Sequence, residues 1–270
     1  MVKLILADID NTIMPKGCDQ VGERVRAAFH AALDAGIRVG PCSGRGRDWV
    51  APIFCGDEAL FATGVTTNGL EVSLDGAMVR KVGFEREPLV ELVRAVEGTP
   101  HAGVICFEGY TPYLVCGERA DLLAAFPRYG EACVEANEVP RAPINKANVF
   151  SATDEATTRA LVARLNREVE GLDLDNALPT FSNVMPAGIN KATGIDLLCE
   201  KIGCSLADVV VFGDAGNDLS MLSHVPDSVA VANATPEAAA AARWHIGACA
   251  DDAVADAVLA IARGEWPFVR

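Results

Sequence analysis

The sequence predicts an α/β fold, a parallel sheet with helices on both faces, interrupted by an inserted α+β unit. Three observations point there. Short apolar runs alternate with helical periodicity at both ends of the chain, hairpin signals replace that rhythm in between, and three of the apolar runs end in polar loops. The 270 residues, 50% hydrophobic and 22% charged, fit one large or two ordinary domains with material for a full core.

The elements follow in order. Val2-Lys3-Leu4-Ile5-Leu6-Ala7 reads as a buried strand that stops at Asp8. Glu23 to Ala35 carries Val25, Ala28, Phe29, Ala32 and Leu33 at helical spacing, and Gly36 is its stop. Ile37 to Gly40 resumes as a strand ending at Cys42-Ser43-Gly44-Arg45. A helix over Arg47 to Phe54 leads to Leu60-Phe61-Ala62-Thr63, the third strand. That alternation implies parallel strands with right-handed crossovers. Glu71 to Leu74 and Ala77 to Arg80 then flank Asp75-Gly76, a two-residue hairpin signal.

Residues 83–187 read as the separate α+β unit, inserted into a core of residues 1–82 and 188–270. It has a helix over Pro88 to Glu97, a hairpin over Gly103 to Val115 turning at Glu108-Gly109, and a strand over Asn148 to Ala152. An amphipathic helix over Glu155 to Glu170 and a strand over Thr180 to Met185 complete it, with Gly83 and Pro186-Ala187-Gly188 as hinges. The α/β rhythm returns with a helix from Lys191 to Lys201, stopped by Gly203. Strands Val209 to Phe212 and Val229 to Val231 follow, then an Ala-rich helix over Pro236 to Ala242.

Charge narrows the function. A formal net charge of −14 argues against a general nucleic-acid or anionic-membrane surface. It leaves an anionic substrate open, because a metal and a few local cations can reverse the field inside one pocket. The nine cysteines include no C-x-x-C pair, and an odd number cannot pair completely within the chain, so reduced thiols are expected. The four histidines lack ligand spacing, which with the cysteine pattern argues against zinc. No apolar run approaches the roughly 18 residues of a membrane span, and a cytoplasmic location is expected. Oligomeric state leaves no signal in the sequence.

Ligands of open parallel sheets gather beyond the carboxyl ends of the strands. Asp8 and Asp10 follow the first strand, Ser43-Gly44-Arg45 the second, and Gly213-Asp214-Ala215-Gly216-Asn217-Asp218 a later one; Lys191 opens a helix near the same edge. Each feature alone has a plainer reading. Asp8-x-Asp10 and Gly213-Asp214 would be turns, Ser43 to Arg45 a loop capping the next helix, and Lys191 a solvated helix residue. Their convergence on one edge makes a candidate site.

Taken together, these motifs resemble the haloacid dehalogenase (HAD) superfamily of phosphatases, and within it the Cof-type subgroup with a class IIB cap. Asp8-x-Asp10-x-Thr12, Ser43-Gly44-Arg45, Lys191 and Gly213-Asp214-x-x-Asn217-Asp218 stand in the order of its four signature motifs. Thr67-Asn68-Gly69, Gly188-Ile189-Asn190-Lys191 and Ala232-Asn233-Ala234 also look like that subgroup. Two positions depart from many relatives: Asn11 stands where they have Gly, and Ser43 where they have Thr. Neither removes a needed function, since Ser keeps the hydroxyl and Asn tolerates turn geometry.

The resemblance implies a HAD-like Rossmannoid core, a cap at 83–187 that selects the leaving group, and hydrolysis through an aspartyl-phosphate. Asp8 would be the nucleophile and Asp10 the acid/base. Mg²⁺ would bind Asp8, the Asp10 carbonyl and Asp214. Ser43, Gly44, Lys191 and Asn217 would surround the phosphate, and Arg45 would either contact substrate or form a salt bridge. Thr12 would shape the first loop, with Asp218 and Asn217 orienting Lys191 and the metal's waters. Glu108, Tyr110, Tyr113, Asn145 and Lys146 are the cap's candidate contacts, although both tyrosines read better as hairpin packing residues and Lys146 as a solvated or structural charge. The expected partner is a small phosphorylated metabolite such as a sugar phosphate or nucleotide. A phosphosugar mutase and a non-catalytic phosphometabolite sensor remain alternatives.

Overall fold

A computed structural model describes residues 1–268. The chain divides into two compact units, Met1–Lys81 with Asn190–Arg270, and Val82–Ile189.

The first unit begins with β1 (Leu4–Ala7), α1 (Glu23–Asp34), β2 (Arg38–Pro41), a short α2 (Arg47–Val50), β3 (Gly64–Thr66), β4 (Glu71–Leu74) and β5 (Ala77–Lys81). The second unit holds α3 (Arg86–Val96), β6 (Ala102–Glu108), β7 (Thr111–Cys116), α4 (Arg119–Ala125), α5 (Pro127–Ala132), β8 (Val134–Glu135), β9 (Lys146–Ser151), α6 (Glu155–Glu168), β10 (Leu172–Leu174) and β11 (Phe181–Pro186). The chain then returns to the first unit through α7 (Lys191–Ile202), β12 (Val209–Gly213), α8 (Leu219–His224), β13 (Asp227–Ala230), α9 (Pro236–Ala241), β14 (Trp244–His245) and α10 (Ala253–Ala262).

The main sheet is parallel throughout, in the order β14-β13-β12-β1-β2. β1 lies between β12 and the terminal strand β2, with Ala7 level with Phe212 on one side and Pro41 on the other. Both faces are covered, which is why β1 and β12 are continuous apolar runs rather than alternating ones. Ile5, Ala7, Val210 and Phe212 pack with Val25, Phe29, Val258 and Ile261 of α1 and α10. Leu4, Leu6, Val209 and Val211 face the other way, toward Ile195, Leu198 and Met221 of α7 and α8.

The expected third strand is displaced. Glu58–Leu60 is a 3₁₀ turn, and the strand starts only at Gly64, pairing antiparallel with β4 instead of joining the parallel sheet. Pro41 accounts for this. Ser43 donates its N–H to the Val65 carbonyl at 2.8 Å, whereas Pro41 has no N–H to offer two residues earlier. A single bridge, Cys42 to Val65, is what remains between the sheets. The two backbones meet so closely that a Cβ on Gly40 would lie 1.7 Å from the Thr63 carbonyl oxygen. Gly40→Ala is therefore expected to cost about 1–3 kcal/mol or more. Calorimetry should show this as a melting temperature lowered by roughly 2–4 °C per kcal/mol; an unchanged value would mean that the two segments separate freely.

The second unit carries a six-stranded sheet in the order β10-β11-β9-β6-β7-β8. Leu89, Leu92 and Val96 of α3 and Leu161, Val162 and Leu165 of α6 cover one face. On the other side Phe126 and Tyr129 stack at 4.5 Å, and Tyr129 meets Phe107 edge-on at 5.0 Å. Among the described residues, no helix of either unit is long and apolar enough to cross a membrane.

Candidate active site

The site is built where β1, β2 and β12 release their chains, together with the start of α7. Lys191 sits there because Asn190 fixes the first turn of its helix. The Asn190 carboxamide oxygen accepts from the Thr193 N–H at 3.1 Å, and the Thr193 hydroxyl accepts from the Asn190 N–H at 3.2 Å. Gly194 lets that turn press close, since a Cβ there would come within 2.6 Å of Val65.

Lys191 is wholly buried, not the solvated residue its type suggests. Its ammonium donates to Asp8 Oδ1 at 2.6 Å and to Asp218 Oδ1 at 2.5 Å. Asp218 Oδ2 accepts the backbone N–H groups of Asp214 and Ala215 at 2.9 and 3.0 Å. Both of its oxygens are thus engaged. The Thr12 hydroxyl donates to Asp214 Oδ1 at 2.8 Å, tying the first loop to the last. Oδ2 of Asp8 and of Asp214 accept no hydrogen bond among the described residues.

One oxygen from each of Asp8, Asp214 and Asp218 lies within 4.8 Å of the others. Burial pushes Asp8 well above the usual carboxylate range, and the charges of Asp218 and Asp214 add to that against the pull of Lys191. Burial and then Asp218 raise Asp214 to about 7. Lys191 moves the other way: burial disfavours its charge, but Asp218 and Asp8 outweigh this and hold it above the ordinary lysine value. Neighbouring Cys42 is pushed up to about 12 by burial, so it stays a neutral thiol.

Asp10 stands apart from this cluster. Its half-exposed carboxylate is gripped by the Arg45 fork, Nε to Oδ2 at 2.7 Å and an Nη to Oδ1 at 2.6 Å. The salt bridge expected of Arg45 is formed with Asp10. Ser43 is buried, and its hydroxyl accepts from the Arg45 N–H at 3.2 Å. The Asn217 amide donates to Asn68 Oδ1 at 3.4 Å rather than to the lysine group. Asn11 has φ +59°, left-handed geometry that explains a preference for Gly and an allowance for Asn.

Asn68 is the neighbour that periodicity could not reveal. Thr67, Asn68 and Gly69 follow one another at φ +49°, +52° and +108°. Asn68 donates its N–H to the Ser43 carbonyl at 2.9 Å, and its carboxamide fills the space beside Gly44, 3.1 Å from where a Cβ would be. Glu71 holds this bend through the Thr66 hydroxyl at 3.2 Å and the Arg47 N–H at 3.1 Å. The signal available was three turn-forming residues in succession.

In the second unit, Lys146 donates to the Tyr129 hydroxyl at 3.1 Å and Asn145 to the Gly109 carbonyl at 3.1 Å. Tyr113 packs on that unit's core, whereas Tyr110 and Glu108 are exposed.

The model of the haloacid dehalogenase-like hydrolases matches residues 5–258. The chain belongs to this family. A Bacillus subtilis relative named as a phosphatase, YxeH, is 25% identical to the hydrolase, covering 96% of this chain and 97% of its own. The HMP-PP phosphatase of Yersinia pseudotuberculosis is 27% identical over 88% of this chain and 86% of its own. Among solved structures, SMU.1108c of Streptococcus mutans superposes with a TM-score of 0.84 at 19% identity, covering 96% of the hydrolase and 98% of itself. The HAD subclass IIB sugar phosphatase BT4131 gives 0.77 at 20% identity, with 95% and 97% covered. These two likenesses concern the fold.

Proposed function

We propose that this hydrolase is a Mg²⁺-dependent phosphatase of small phosphorylated metabolites, working through an aspartyl-phosphate on Asp8. The observation that carries the reading is the buried group of Asp8, Asp214 and Asp218 around Lys191. When ionised, three carboxylates against one ammonium leave a surplus of two negative charges, the charge a divalent cation neutralises. Hard carboxylate oxygens suit Mg²⁺. Asp8 and Asp214 have the oxygens to hold it, with the Asp10 carbonyl, because Asp218 is already committed to Lys191 and to two backbone amides. The bound ion would lessen the repulsion between an anionic phosphate and an anionic nucleophile.

The chain's own residues divide the remaining work. Asp8 attacks phosphorus with one carboxylate oxygen while the other is left for the metal, and Lys191 offsets charge on the phosphoryl oxygens. Asp10, once released from the Arg45 fork that occupies both its oxygens here, protonates the leaving oxygen and later takes a proton from the attacking water. Ser43 and the Gly44 amide hold the phosphate, with Asn68 backing that loop. Relatives named HMP-PP phosphatase and sugar phosphatase support the substrate class. The inserted unit is assigned the choice of leaving group.

Purified protein should release inorganic phosphate from members of a phosphometabolite panel with Mg²⁺ and lose that turnover in chelator. Isomerised phosphosugar without release would favour a mutase, and binding without turnover a sensor. Mg²⁺ at a hundred times its Kd should also stabilise the fold by about 2.7 kcal/mol. A melting temperature indifferent to both Mg²⁺ and chelator would remove the metal from the proposal.

A further inference from the structure

The far end of the Lys191 helix carries two of the nine cysteines in a defined cap. Gly203 takes the left-handed conformation, φ 71° and ψ 45°, and ends α7. Its N–H and that of Cys204 both donate to the Cys199 carbonyl, at 2.9 and 3.0 Å. This is the six-to-one closure of a Schellman motif, which a contact between the first and last side chains frequently accompanies. That contact is ordinarily apolar. Here both positions are thiols, in the same cluster beside Leu198, Leu206 and Val209. The two sulfurs are near enough for Cys204 to act on the ionisation of Cys199.

The pair is asymmetric. Cys199 is buried, whereas Cys204 is partly open to solvent. Arg38, held by Asp75 through two hydrogen bonds of 2.9 Å, lies close enough to interact electrostatically with Cys204. The partly open Cys204 is the thiol of the pair that an oxidant can reach.

We propose that Cys199 and Cys204 are a thiol oxidation site at which a hydroperoxide closes a disulfide across the C-terminal cap of α7. The Cys204 thiolate attacks one peroxide oxygen; an S–O bond forms, the O–O bond breaks, and the departing hydroxide takes up the thiol's proton as water. The Cys199 sulfur then attacks the Cys204 sulfenic acid. The S–S bond forms as the S–O bond breaks, and the hydroxide leaves with the Cys199 proton as a second water. Two thiols lose two electrons, and the peroxide gains them.

Lys201 lies between the two cysteines, so trypsin separates them unless they are bonded. The intact protein, freed of reductant, would be treated with hydrogen peroxide, capped with N-ethylmaleimide, denatured and digested. The expected product joins peptides 192–201 and 202–243, two hydrogens lighter than their sum and split by reductant. In Cys199→Ser the cross-link should vanish and Cys204 should become trappable by dimedone. Maleimide on both cysteines of the wild-type protein after oxidation would overturn the proposal, as would pairing of either one with a third cysteine. So would oxidation of Cys204 to sulfinic acid with Cys199 still free. None of these readouts depends on phosphatase activity, and those on the wild-type protein do not depend on folding of the variant.

Discussion

Asp8→Asn should end turnover while sparing the fold. The amide matches the carboxylate in size and keeps an oxygen for Lys191, but it cannot attack phosphorus. A loss of about 10⁴-fold or more in kcat is expected for removal of a nucleophile. Stability should move little, or upward. Burial and the charges of Asp214 and Asp218 already oppose ionisation of Asp8, and Asp218 remains to pair with Lys191. Steady-state kinetics beside calorimetry checks both halves. Turnover at the wild-type rate would dismiss the covalent mechanism, and a collapsed melting temperature would show that Asp8 is needed for folding as well.

Lys191→Met should do the reverse and damage both. The lysine is fully buried, and two buried carboxylates contact it. Its removal strands their charge, and breaking a buried ion pair from one side costs about 3–5 kcal/mol. The double variant Lys191→Met/Asp218→Asn separates charge from packing. With one stranded anion neutralised, a sizeable part of the lost stability should return although activity stays absent. If the double variant melted no higher than the single one, lost volume rather than unpaired charge would explain the damage.

Much of this molecule can be read from its letters where one physical demand dominates. Leu4 to Ala7 and Val209 to Phe212 are apolar at every position because helices cover both faces of the sheet, and each run is followed by an aspartate at its carboxyl end. Leu60 to Thr63 looked equally strand-like. What decided against it was a missing N–H at Pro41, some twenty residues earlier, which no local pattern reveals. α10 leaves no local signal for the opposite reason: Ala253 to Ala262 is apolar nearly all round, so no stripe of period 3.6 stands out. In the site, Asp8, Asp214 and Lys191 are individually visible, yet the full burial of Lys191 and the Asp10–Arg45 pair follow only from three-dimensional packing. Asn68 is placed by three successive left-handed residues, a property of backbone angles rather than of hydrophobic period.

The parallel sheet also sets an order of events during synthesis. β1 is completed by β12, about two hundred residues downstream, and α1 packs against α10 near the other end of the chain. Val82–Ile189, by contrast, is one uninterrupted segment whose strands find their partners among themselves. As the chain leaves the ribosome, the inserted unit can finish folding while β1 still waits with an open edge. Asp8 is made before the inserted unit, and Lys191, Asp214 and Asp218 are made after it. No nascent chain shorter than Asp218 can therefore hold the buried group of Asp8, Lys191, Asp214 and Asp218, and chain order alone delays its assembly until the inserted unit has been made.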